Sequence, residues 1–143
     1  MHSAVKILSP TLSPAGSPDY ARHYAEFVDA SFLVRLVRPL ADIWTVPESE
    51  LEAIVGVSFD NLDELPQDKS IEVKERLTGL LQVAANLRAL YAKAPEMADV
   101  WLHQKNFGPY FEGARPWEVL KAPAGIARVN DVLHSALAEL RGA

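Results

Sequence analysis

The residues with the most chemical character lie close together: Phe107, Tyr110, Phe111 and Trp117, with Asn106 in front of the group and Arg115 inside it. Rings and a guanidinium are the side chains that carry protein contacts, because each removes a large area from water and several keep a polar handle. Catalytic alternatives fail on spacing. His2, His23, His103 and His134 are scattered, with no His-x-x-x-His pair, so a zinc site is not expected. Glu48, Glu50 and Glu52 resemble paired carboxylates, but residues two apart on a helix point in different directions and cannot share a substrate. The run Gly56-Val57-Ser58-Phe59-Asp60 lacks the second glycine of a nucleophile elbow. The chain has no cysteine, which removes thiolate catalysis, thiolate-bound metal and disulfides. No catalytic residue, metal or cofactor is expected, and the chain does not read as an enzyme.

The aromatic group needs elements to hold it. Gly108, Pro109, Gly113 and Pro116 forbid a continuous helix, so the group occupies a loop. Before it, a short helix from Glu96 to about Gln104 delivers Met97, Val100 and Trp101 to a core. After it, Pro123 suits a helix start, and Ile126, Val129, Leu133, Leu137 and Leu140 repeat at threes and fours along one apolar face. An aromatic loop between two amphipathic helices is either a packed corner or an exposed contact surface. In the first case Arg115 is exposed and idle; in the second it meets acidic or carbonyl groups of a partner.

The longest helix is expected upstream, from Ile71 to about Lys93, capped by Ser70 and striped by Val73, Leu77, Leu80, Ala84, Leu87 and Tyr91. Gly79 in its interior costs ~1 kcal/mol relative to alanine, which predicts a close crossing by another helix. Further upstream, Ser17-Pro18-Asp19 is a helix-start signal, followed by Tyr20, Tyr24, Phe27 and Val28 on one face. A helix over Ser31 to Trp44 carries Phe32, Leu33, Leu36, Val37, Leu40 and Ile43, with Pro39 predicting a kink near Arg35 to Arg38. Thr45-Val46-Pro47-Glu48 can form a capping box for a helix from Pro47 to Val55. Gly56 ends that helix, and Ser58 can cap another over Phe59 to Leu65, stopped by Pro66. Helix, glycine turn and second helix make a helix-turn-helix pattern. As a DNA reader, it would use Ser58 and Asn61, with Arg35 and Arg38 from outside for phosphates.

The charge argues against that use. The net charge of −5 is uneven: from Pro47 to Ser70 there are seven carboxylates and one lysine, whereas residues 1–46 are neutral and 71–143 carry +1. Acidic side chains facing phosphates forfeit the counterion release that supplies most non-specific affinity. With 143 residues, 49% of them apolar, the chain fits one domain or two small ones sharing a core. No uncharged apolar run approaches the ~18–20 residues that span a bilayer, so a membrane role is not expected. The stretch SPTLSPAGSP places a flexible tail over residues 1–18, and cysteine-free composition suits the cytoplasm.

The order of residues Trp101-Leu102, Asn106, Phe111-Glu112-Gly113-Ala114-Arg115-Pro116, Leu120, Pro123, Gly125, Val129 and Leu133 resembles the toxin-binding domain of the Xre/MbcA/ParS antitoxin family. One departure is visible: the family commonly has Pro-Asn where this chain has Lys105-Asn106. The resemblance extends back to about Ile71 and implies an all-α protein. Residues 19–69 would be a degenerate Xre-like helix-turn-helix region and 70–143 the toxin-binding domain. It implies a type II antitoxin that sterically neutralises a RES-domain toxin, of the NAD-degrading or ADP-ribosylating kind. The protein would act as a homo- or hetero-oligomer, with operator DNA a partner of the complex. Toxin contacts would come from Asn106, Phe107, Tyr110, Phe111, Arg115, Trp117, Arg128 and Arg141. Trp101, Leu102, Leu120, Val129 and Leu133 would form the supporting core. Two rivals remain open: a transcriptional regulator acting mainly on DNA, and a helical scaffold or dimerisation module.

Overall fold

The computed structural model describes residues 29–108 and 110–142; the tail over residues 1–18 and the helix predicted after Ser17 lie outside them. The described chain is all-α, with no strand. Its helices are α1 (Ala30–Val37), α2 (Leu40–Ile43), α3 (Glu48–Val55), α4 (Gln67–Leu90), α5 (Pro95–Val100), α6 (Pro116–Leu120) and α7 (Gly125–Gly142). Single 3-10 turns occupy Leu62–Glu64 and Trp101–His103.

α4 is the spine, with α1 and α7 packed against it. The crossing with α7 falls at Gly79, as the glycine predicted: a Cβ there would sit 2.5 Å from Ile126 Cγ2. Amides knit the same crossing. Asn130 Nδ2 donates to the Gly79 carbonyl at 2.9 Å, and Asn86 Nδ2 donates to Asn130 Oδ1 at 3.1 Å. All these groups are buried, so a slip of either helix would strand amides without partners. The core is continuous across the chain, joining Leu33, Trp44 and Leu51 of the front half to Leu80, Leu102 and Leu133 of the back half.

Several local expectations are corrected. Pro39 breaks the predicted kinked helix in two, with α1 ending at Val37 and α2 starting at Leu40. Only Leu33, Val34 and Val37 of α1 are buried, leaving Phe32 and Leu36 exposed. The capping box does not form, because Pro47 is extended and itself caps α3, while Thr45 takes φ +55. Gly56 does end α3, with φ +90 and the amides of Gly56 and Val57 both donating to the Glu52 carbonyl.

The predicted second helix of the helix-turn-helix is absent; its place is taken by the 3-10 turn Leu62–Glu64. Pro66 holds Leu65 extended, and Asp60, Asn61 and Asp63 are weak helix formers, so the short span between Ser58 and Pro66 cannot sustain α-helix. α4 starts at Gln67, directly after Pro66, which puts Ser70 inside the helix rather than at its cap. Pro116, expected to interrupt helix, is the first residue of α6, where its missing amide hydrogen costs nothing. α7 begins at Gly125 rather than Pro123, and no other residue fits there: a Cβ would lie 1.7 Å from the Val119 carbonyl oxygen.

Candidate protein-docking loop

The loop between the Trp101–His103 turn and α6 is strapped by one residue. The Asn106 amide donates to the Ala114 carbonyl at 3.0 Å, and its own carbonyl accepts from Gly113 at 2.8 Å. Its side-chain Oδ1 accepts from the Gly108 amide at 2.8 Å. Gly108 and Phe111 carbonyls close further turns onto Phe111, Glu112 and Ala114. Within this frame Tyr110, Glu112 and Gly113 take φ of +76, +49 and +89. Two of these are not glycine, and such angles persist only where surrounding bonds over-determine the backbone. Gly113 has a second use, since a Cβ there would lie 3.1 Å from Phe107 Cε1, so the ring rests across a bare backbone.

The strapped loop sorts its aromatics into two pairs. Phe111 is 3% exposed and meets Trp101 edge-on at 5.9 Å. Trp117 is 4% exposed and packs on Trp44 at 6.0 Å and His103 at 5.4 Å. Both were expected on the contact surface, and both are core instead; α6 turns Trp117 inward, and its indole has no area left to offer. Phe107 and Tyr110 are the opposite, 81% and 62% exposed.

The cations of this region are held by neutral groups. Arg115 is exposed, and its Nε donates to the His103 carbonyl at 3.0 Å. The Arg128 guanidinium lies 5.9 Å from the Tyr110 ring centroid, within cation–π range. Arg141 is exposed near the end of α7, away from the loop in sequence. Asn106, predicted as a contact, is a half-buried organiser of the backbone. Of the predicted core, Leu102, Leu120, Val129 and Leu133 are buried, and Trp101 is half-buried under Phe111.

A polar node behind the loop had no sequence signal, because its members are far apart in the chain. Trp117 Nε1 donates to Glu50 Oε1 at 2.9 Å, Lys121 Nζ lies 3.4 Å from the same oxygen, and His103 Nε2 is 2.7 Å from the Trp44 carbonyl. The indole hydrogen bond, followed by the Lys121 charge, holds the Glu50 carboxyl below its ordinary value. The node ties α3 to α6 and so fixes the base on which the loop stands.

Of the four residues considered for DNA, Ser58 and Asn61 lie outside any helix. Arg38 Nε meets Glu48 Oε1 at 2.8 Å and its Nη2 meets Asp60 Oδ1 at 3.4 Å, with the guanidinium over Phe59. Its charge is compensated before any phosphate arrives. Arg35 lies over Phe32, Ser58 Oγ accepts from the Asp60 amide, and Asn61 is exposed where a recognition helix would have begun.

One cavity of about 460 Å³ lies between α3, α4 and the start of α7, lined by Glu72, Arg76, Gln82, Lys121 and Ile126 among others. Its two lining cations are paired, Arg76 with Glu72 at 3.0 Å and Lys121 with Glu50, outside the lining, at 3.4 Å. Among the described residues no cluster of three or more metal-ligating side chains occurs, and no helix is long and apolar enough to cross a membrane. Compared with protein-family models, curated proteins and solved structures, the chain finds no match in any of the three.

Proposed function

We propose that this protein is an antitoxin that binds a cognate RES-domain toxin and neutralises it by occupying or distorting the toxin's active cleft. The observation that carries the reading is the exposure of Phe107 and Tyr110 on a loop whose backbone is strapped at Asn106. Large exposed rings on a rigid support mark contact surfaces, since ordering has been completed before the partner arrives. The ordered residue pattern from Trp101 to Leu133 supports the choice of partner class. A nanomolar complex corresponds to about −12 kcal/mol, attainable from ~1,600 Å² of well-packed interface. With Phe111 and Trp117 in the core, the contact set contracts to Phe107, Tyr110, Arg115 and Arg128. Any control of the protein's own operon falls to the toxin complex or an oligomer, because the free chain's Arg38 is already paired.

Co-expression with the toxin encoded beside this chain tests the reading. Growth should be rescued and the two proteins should co-elute on gel filtration at micromolar concentration. Separate elution and continued toxicity would reject it.

A further inference from the structure

Of the twelve described cations five are ion-paired with a described carboxylate and seven are not, four of these, Arg35, Lys74, Lys93 and Arg141, lying outside the aromatic loop in sequence. Arg38, Lys69, Arg76, Arg88 and Lys121 each lie against a carboxylate. Around the aromatic loop, Lys105, Arg115 and Arg128 form no ion pair with any described residue. The two arginines are nevertheless held, one by the His103 carbonyl and one by the Tyr110 ring. A carbonyl and a ring fix a guanidinium in place without cancelling its charge. What remains is a planar donor fork of the geometry that takes a carboxylate through two hydrogen bonds.

We infer that this loop docks onto an acidic protein surface: a partner face with an apolar recess for Phe107 and Tyr110, rimmed by carboxylates that take Arg115 and Arg128. The inference rests on the antitoxin reading and names the chemistry of the partner's face. A protein is favoured over a nucleic acid because three cations make few phosphate contacts, and because the seven carboxylates between Pro47 and Ser70 repel a long polyanion. The acidic character of the partner face makes association electrostatically steered. Opposite charges that stay exposed until contact speed encounter, and salt screens them beyond about 8–10 Å at about 0.1–0.15 M.

The test is the association rate of this protein with the purified toxin encoded beside it, measured by stopped flow from low to high salt. The variants are Arg115→Glu, Arg128→Glu and, as an exposed control outside the loop, Lys93→Glu. Wild type and Lys93→Glu should associate rapidly and slow steeply with salt. Each arginine reversal should slow association by about tenfold or more at low salt and flatten the salt dependence, with melting temperatures unchanged. A complex that forms at a salt-independent rate, indifferent to both reversals, overturns the acidic-face inference and leaves the antitoxin reading standing. Failure of wild type to bind the toxin at any salt removes both. Tight binding of a single-stranded oligonucleotide by the free protein, lost in Arg128→Glu, overturns it in favour of a nucleic-acid surface.

Discussion

Two connections in this molecule are built alike and finish differently. The turn from Gly56 to Pro66 and the loop from Gln104 to Arg115 are both punctuated by glycine or proline, and both bury one phenylalanine, Phe59 and Phe111. In each, a side-chain oxygen accepts a backbone amide: Glu52 from Phe59 at 2.8 Å, and Asn106 from Gly108 at 2.8 Å. The front turn then closes itself, since Arg38 covers Phe59 and is neutralised by Glu48 and Asp60. The back loop leaves Phe107 and Tyr110 in water, with arginines held by neutral groups. Rigidity is therefore common to both and distinguishes neither. Uncompensated charge beside exposed rings is what sets the back loop apart.

The comparison breaks most severely at the base of the back loop. Trp117→Ala removes a buried indole, its packing on Trp44 and the donor to Glu50, and should cost about 3–5 kcal/mol in chemical denaturation. Neutralisation should fall with it, since the loop loses its support. Asn106→Ala sharpens the distinction between strap and surface. Loss of the half-buried hydrogen bond to Gly108 should cost about 1 kcal/mol of stability, with toxin affinity falling about tenfold as the loop must be ordered on binding. The smallest effect concerns pH. Glu50 has a folded-state pKa below its ordinary 4.5, so its contribution is present above that value and lost as pH falls through the lower, folded one. Wild type should therefore lose stability more steeply than Glu50→Gln below pH 4.5, by a margin kept small because the carboxylate is 38% exposed and screened. Parallel acid limbs in melting temperature would remove the carboxylate from the node.

Much of the fold was legible because the deciding interactions are local or leave a compositional mark. Gly56 terminates α3 because a left-handed residue is needed there, and Gly79 marks the α4–α7 crossing because only a missing side chain admits Ile126. The errors arise where one residue type serves opposite ends of a helix. Pro116 reads as a breaker in sequence, yet it opens α6, and that short helix is what carries Trp117 inward. Ser70 and Thr45 have the chemistry of caps, but the neighbouring prolines, Pro66 and Pro47, decide where the helices begin. Which aromatics of the loop face water was not legible at all. It depends on contacts with Trp44, Glu50 and Trp101, of which only Trp101 is near in sequence.

The central claim is that Phe107 and Tyr110 are exposed for a partner and not for the fold. The most direct measurement is toxin affinity set beside thermal stability for the double variant Phe107→Ala/Tyr110→Ala. The account predicts a melting temperature close to wild type, because both rings are mostly in water, and a loss of binding of about 100-fold or more, the scale expected when exposed aromatic anchors are truncated. A variant that binds the toxin as tightly as wild type would contradict it, and so would one whose stability falls as far as that of Trp117→Ala.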